Sequence, residues 1–291
     1  MHRYLDPKSD LVFKKVFGTE KNKGVLLAFL NDVFEGVHDK IVDVTFLKLD
    51  QNTDIKYLRP SIVDVLCQDT QGKKFIIEMQ CAKEAHFLKR AVAYASRAYL
   101  NQRTNEKDYQ DMHEVIFLAI LDHSLFPNKK EYLSHHKVSD VLTHEVDIKE
   151  LSFTFLELGK FHKQRDELES NVERWVYFFK HAERTTPDEL EDISNSYKVL
   201  KKAYDALSTS AFTPEELLDY ERYGMKEDEI NTRVSESEAK GLAKGLAEGK
   251  AEGEAKKARE TAAKMLSDGV PAAAVSKYTG LSEEEIASLK H

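Results

Sequence analysis

Ser61-Ile62-Val63-Asp64-Val65-Leu66-Cys67-Gln68 is followed, after Asp69-Thr70-Gln71-Gly72-Lys73, by Lys74-Phe75-Ile76-Ile77-Glu78-Met79-Gln80-Cys81. Both runs are rich in Val, Ile and Phe, and turn residues separate them, which predicts two strands joined as a hairpin. A turn centred near Gln71 sets the antiparallel register so that Asp64 lies opposite Glu78, about 5 Å apart at Cβ. Gln80, two residues on, shares their face, while Val63, Val65, Ile77 and Met79 point the other way into the core. Two opposed carboxylates on otherwise apolar strands destabilise a sheet unless they share a proton or a cation. Oxygen ligands of this kind suit Mg2+ or Mn2+, which polarises a phosphodiester and activates water. On an exposed sheet face the same residues would be ordinary solvated side chains, and an isolated D…ExQ pattern favours that simpler reading.

Working outward, Ser9 and Asp10 can cap a helix in which Leu11, Val12, Phe13, Val16 and Phe17 recur at helical spacing until Gly18. A second helix is expected over about 24–34, and a first strand over Ile41–Leu49. Helical period returns from Glu84 to Arg103. Val115–Leu121 reads as a fully buried strand, and Leu151–Leu158 as another. Helices follow at about 171–183, 187–208 and 214–222, with Pro187 and Pro214 near two of the starts. This order predicts an α/β fold, a mixed sheet core with an all-helical C-terminal extension.

Ala239–Ala255 is a four-residue repeat in which Gly241, Gly245, Gly249 and Gly253 share one slowly drifting helical stripe. Four glycines cost roughly 1 kcal/mol each against Ala, so the segment reads as a marginal helical spacer. The alternative is a close-packed stripe through which the chain forms a homo-oligomer. Lys240, Lys244, Glu248 and Glu252 exclude a bilayer there. Three short helices are expected at about 256–267, 271–278 and 283–289, with the spacing of a helix-turn-helix. Glu283-Glu284-Glu285 opens the third, where carboxylates repel phosphate, so protein interaction or capping is the stronger reading for this unit.

The chain has 291 residues, 43 Lys+Arg against 51 Asp+Glu, and 41% hydrophobic residues, enough for a core and against wholesale disorder. Residues 1–104 hold 17 Lys+Arg and 13 Asp+Glu, whereas the remainder is strongly acidic. A mildly basic front half permits a polyanion partner without demanding one. Two cysteines make no disulfide framework, and Cys67 and Cys81 are out of register in the expected hairpin. With neither a signal peptide nor a membrane span, the expectation is a soluble cytoplasmic protein. There is no GxxxxGK[ST] motif, hence no expected nucleotide cofactor, and no Cys/His zinc spacing. His135-His136 reads as a surface pair.

Pro7-Lys8-Ser9-Asp10-Leu11-Val12-Phe13-Lys14-Lys15-Val16-Phe17-Gly18 and Leu26-Leu27-Ala28-Phe29-Leu30-Asn31 are followed in order by Asp64, Glu78-Met79-Gln80, then Phe87, Arg90, Tyr94, Ser96 and Tyr99. In these motifs, over residues 3–165, the chain resembles the recombination-promoting nuclease/transposase family of the PD-(D/E)xK nuclease superfamily. The resemblance implies a restriction-endonuclease-like core over 1–165 and a Mg2+-dependent DNA endonuclease linked to recombination or mobile elements. It carries metal-ligand roles onto Asp64 and Glu78. Asp10 falls where the superfamily often has a further acidic residue, although a helix-capping role suits it equally. Gln80 departs from the lysine usual at its position. It can orient water but supplies no positive charge, which leaves Lys73, Lys83 or Arg90 to compensate. Arg90 and Tyr94, four apart on a helix, share a face that either contacts the scissile phosphate or simply packs on the core.

The expected organisation is therefore a nuclease core at 1–165, a helical extension at 166–232, the repeat spacer at 233–258 and a small helical unit at 259–291. The expected chemistry is metal-assisted phosphodiester hydrolysis in DNA, with Asp64, Glu78, Gln80 and Arg90 catalytic, Asp64, Glu78 and Asp10 on the metal, and Lys73, Lys83, Arg90 and Tyr94 on DNA. Two alternatives from other classes are a catalytically weakened DNA-binding or regulatory module and a self-associating scaffold.

Overall fold

The computed structural model describes residues 3–48, 63–103 and 109–289; Leu49, Pro60, Ser61 and Ile62 of the expected strand and motif segments lie outside the described residues, as do the side chains at 226–231, 234 and 238. The first part of the chain forms α1 (Asp10–Phe17), α2 (Lys23–Val33), β1 (Val44–Phe46), β2 (Val65–Asp69), β3 (Lys74–Gln80), α3 (Phe87–Leu100) and β4 (Val115–Leu121). There follow β5 (Leu133–Lys137), β6 (Leu151–Glu157), α4 (Asn171–His181), α5 (Pro187–Ser196), α6 (Lys198–Leu207), α7 (Pro214–Ser267), α8 (Ala272–Thr279) and α9 (Glu283–Ser288).

The six strands make one mixed sheet in the order β1-β2-β3-β4-β6-β5. Pairings β3–β4 and β4–β6 are parallel and the others antiparallel. A parallel neighbour needs a crossover, which α3 supplies between β3 and β4. Every residue of β4 is buried, as its unbroken apolar run predicts for a strand covered on both faces. One face carries α1, α2, α4 and α6, whose Phe13, Phe17, Phe29, Trp175 and Phe179 share a core with Val65, Phe75 and Ile77. Phe17 stacks on Phe179 with ring centroids 5.6 Å apart. The other face carries α3, whose Phe87, Ala91, Ala95 and Ala98 cover Leu66, Ile76 and Phe117.

The β2–β3 ladder has the expected register, Val65 opposite Ile77 and Cys67 opposite Phe75. Its turn is fixed by Asp69, whose Oδ1 accepts from the backbone N–H of Gln71 and of Lys73, both at 2.9 Å. Gly72 has φ +89°, and a Cβ there would lie 2.5 Å from the His113 ring, so only glycine fits.

Several expectations are corrected. Val63 joins the α3-side core and not the face of Val65, because the strand begins only at Val65 and the alternation does not extend back to it. β5 was not expected, and His135-His136 lies on this half-buried edge strand and not on the open surface. His135 Nδ1 is 3.0 Å from Thr154 Oγ1, and burial, aided by His38, pushes its pKa down to about 4. The helix expected over 187–208 breaks at Tyr197, whose hydroxyl reaches Asp32 Oδ2 at 2.5 Å beside the Trp175 indole N–H. The helices expected at 214–222 and 256–267 are the two ends of α7, continuous through the glycine repeat.

The chain divides into two compact units, Met1–Gly224 and Met225–His291. Residues 171–207, expected outside the nuclease core, build part of the first unit's main hydrophobic core. In the second unit Ala262, Val275, Leu281 and Ile286 form a small core, with Gly269 and Gly280 at positive φ in its turns. Ser282 and Glu285 form the expected capping box of α9. Residues 239–255 are exposed, and among the described residues nothing beyond the adjoining helix backbone lies within 4 Å of a Cβ added at Gly241, Gly245, Gly249 or Gly253. Among the described residues no helix is long and apolar enough to cross a membrane.

Candidate active site

Asp64 sits one residue before β2, and its side chain takes over the pairing there: Oδ2 accepts from the backbone N–H of Met79 at 2.8 Å. Glu78, on β3, faces α3, and its side chain is only 9% exposed. Glu78 is therefore covered by α3, whereas the β2–β3 ladder ends at Val65 opposite Ile77, so half-buried Asp64 meets β3 through the Met79 peptide and not as the paired strand partner of Glu78. Glu78 Oε1 lies 3.6 Å from Arg90 Nη2, whereas Oε2 is buried with no hydrogen-bond partner. Burial, then the neighbouring Asp64 charge, pushes Glu78 up to about 8 against the pull of Arg90. Burial and the nearby Asp10 likewise push Asp64 up to about 6, although its bond from Met79 opposes this. A buried and a half-buried carboxyl held toward their neutral forms, with one oxygen orphaned, accommodate a cation.

The helix bearing Arg90 and Tyr94 does present both toward this pair. The guanidinium donates to Gln80 Oε1 at 2.6 Å, pairs with Glu84, and lies 5.2 Å and 5.8 Å from the Phe87 and Tyr94 ring centres. Gln80 Nε2 donates to the carbonyl of Ala82 at 2.9 Å, so both ends of this amide are engaged. Lys83 is exposed in the short link between Gln80 and α3. Lys73 is not brought to the site. It precedes β3 by one residue, five residues from Glu78 or about 16 Å along the strand, and faces Glu114 at 4.0 Å.

Asp10 is the first residue of α1, and the Ser9 side chain makes no capping bond. Asp10 instead pairs with Lys14, Nζ to Oδ1 at 2.6 Å. The same Nζ lies 3.6 Å from Asp64 Oδ1. Lys14 is a residue that sequence reasoning missed: its four-residue spacing from Asp10 was visible, but its approach to Asp64 is a tertiary fact. Among the described residues no group of three or more His, Cys, Asp and Glu side chains stands ready to hold a metal. Asp64 and Glu78 still fit Mg2+ or Mn2+, which commonly takes one or two protein carboxylates and completes its shell with water and substrate phosphate.

The family described as PD-(D/E)XK nuclease family transposase matches residues 7–233, a span that contains Asp10, Asp64, Glu78, Gln80 and Arg90. The chain belongs to this family. A second description, the Rpn/YhgA-like nuclease family C-terminal HTH domain, matches residues 255–291. Together they match the recombination-promoting nuclease/transposase resemblance and the restriction-endonuclease-like fold with its helical C-terminal part. Comparison with curated proteins and with solved structures finds no match.

Proposed function

We propose that this chain is a DNA endonuclease dependent on Mg2+ or Mn2+, acting in the cytoplasm in DNA recombination or on mobile elements. The observation that carries the reading is the Asp64–Glu78 pair, Asp64 half-buried just before β2 and Glu78 buried on β3, with Glu78 Oε2 lacking a partner. Asp64 and Glu78 would hold the cation, with Asp10 beside them. A bound divalent ion supplies Lewis acidity to the scissile phosphodiester. Arg90, with Tyr94 against its guanidinium, offsets charge growing on the phosphate, and Lys83 lies near enough in sequence to steer the backbone. Gln80 keeps one amide hydrogen and one lone pair beyond the contacts described, enough to orient an attacking water. The helix-turn-helix match at 255–291 supports DNA binding by this unit, a change from the expectation that Glu283-Glu284-Glu285 set.

A catalytically weakened DNA-binding module is the second reading, and the engagement of Gln80 by Arg90 is what favours it. Plasmid nicking with Mg2+, wild type against Asp64→Ala, tests the first reading. Loss of nicking only in the variant supports it, whereas an inactive wild type that still gains thermal stability with Mg2+ supports the second.

A further inference from the structure

We propose that Lys14 is the resident cation of the carboxylate site. It holds Asp10 and Asp64 together when no divalent ion is bound, and it supplies from α1 the positive charge that Gln80 does not. This inference deepens the nuclease reading and rests on it. An Asp10–Lys14 pair one turn apart would be worth little on an ordinary helix surface. What distinguishes this one is the third partner: Asp64, fifty positions along the chain, lies under the same ammonium at 3.6 Å with its side chain 14% exposed. The adjacent Lys15 turns elsewhere, to Glu216 at 2.6 Å and over the Phe212 ring at 4.0 Å. Arg90 is spread over Glu78, Gln80 and Glu84 from the α3 side. The carboxylates are thus flanked by two cations from opposite helical layers, Lys14 for Asp10 and Asp64, and Arg90 for Glu78.

A divalent ion taken up by Asp64 must compete with the Lys14 ammonium for the same oxygens. Once displaced, that ammonium stays tethered by Asp10 beside the pair, where an incoming phosphate carries its negative charge. Lys14 is accordingly a positioning residue whose removal acts in opposite directions on two measurements. Metal binding tightens because a competitor is gone, and cleavage slows because a positive charge is gone.

The test measures Mn2+ binding to the full chain by calorimetry without DNA, and plasmid nicking separately. Lys14→Gln should bind Mn2+ about tenfold more tightly and nick at least about tenfold more slowly, with the KM for DNA nearly unchanged. Lys14→Ala, well suited to a helix, should repeat this if the Gln variant misfolds. Lys14→Arg should stay within about threefold of wild type in both measurements, since it keeps the charge. Tighter Mn2+ binding in a protein whose wild type never nicks would support the Lys14 role and sink the nuclease reading. Unchanged or weaker Mn2+ binding in folded Lys14→Gln and Lys14→Ala would overturn the Lys14 role alone. No Mn2+ binding by any form would overturn both.

Discussion

The backbone N–H of Met79 donates to Asp64 Oδ2 at 2.8 Å, so the carboxylate that opens β2 is held by the peptide directly after Glu78. One hydrogen bond thereby fixes the separation of the two acidic groups and leaves Asp64 Oδ1 for Lys14.

Asp64→Asn keeps an oxygen acceptor for Met79 while deleting a charge, so nicking should be lost without loss of the fold. In EDTA at pH 8 its melting temperature should equal or exceed that of wild type. Asp64→Ala strands the Met79 N–H and should cost about 1–3 kcal/mol. Calorimetric melts of the two variants check this, and an Asn variant that melts well below wild type would contradict it.

The carboxyl of Glu78 gives a pH signature. Its folded value, about 8, lies above its ordinary value of 4.5, so the folded chain holds this proton more tightly than the unfolded chain. The corresponding stability is fully present below pH 4.5 and is lost as pH rises toward 8. Glu78→Gln should therefore melt like wild type at pH 4.5 and be more stable by about 1–3 kcal/mol at pH 8 without metal. Parallel stability curves for the two proteins would refute the buried-carboxyl account.

Replacing Gln80 separates charge from geometry. Gln80→Lys gives up the bond from Arg90 but adds an ammonium, and Arg90 retains Glu84. Its single-turnover nicking rate should stay within about tenfold of wild type or exceed it, while Gln80→Ala should fall further behind. An inactive Lys variant with intact circular dichroism would rule out a water-orienting role for the amide.

A chain ending at Thr232 retains the whole first compact unit, which closes at Gly224, and with it all the proposed site residues. It should nick DNA at an unchanged rate when DNA saturates, with a raised KM from loss of the helix-turn-helix. An unchanged KM would return residues 255–291 to the protein-contact role that Glu283-Glu284-Glu285 suggested.

Local patterns were legible where one physical cue dominated. The seven consecutive apolar residues of β4 gave that strand its observed bounds, and the turn residues from Asp69 to Gly72 gave the β2–β3 register. β5 escaped because Leu133-Ser134-His135-His136-Lys137 lies on a sheet edge, where polar side chains are tolerated and alternation is weak. Phe75-Ile76-Ile77 is apolar on both faces, so period-two reading could place Glu78 on a face but could not say that α3 covers it. The hairpin register singled out Asp64 and Glu78, and the family resemblance added the metal-ligand roles proposed for them. Lys14 depends on a contact between α1 and the hairpin, which no local pattern encodes.

The N-terminal residues close onto a segment two hundred positions later: Leu5 N–H donates to the carbonyl of Leu207 at 3.0 Å, and Thr209 N–H to that of Arg3 at 3.1 Å. Phe13 and Phe17 on α1 also pack against Phe179 and Trp175. During synthesis, therefore, the helix carrying Asp10 and Lys14 has no finished seat until α4 and α6 have left the ribosome. At about 5–20 residues per second, that interval lasts roughly 10–40 seconds. The β2–β3 hairpin emerges early, but the helix that brings Lys14 to Asp64 docks late. A partly made polypeptide thus lacks the complete acidic centre, because the segments that seat α1 are the last of the first unit to appear.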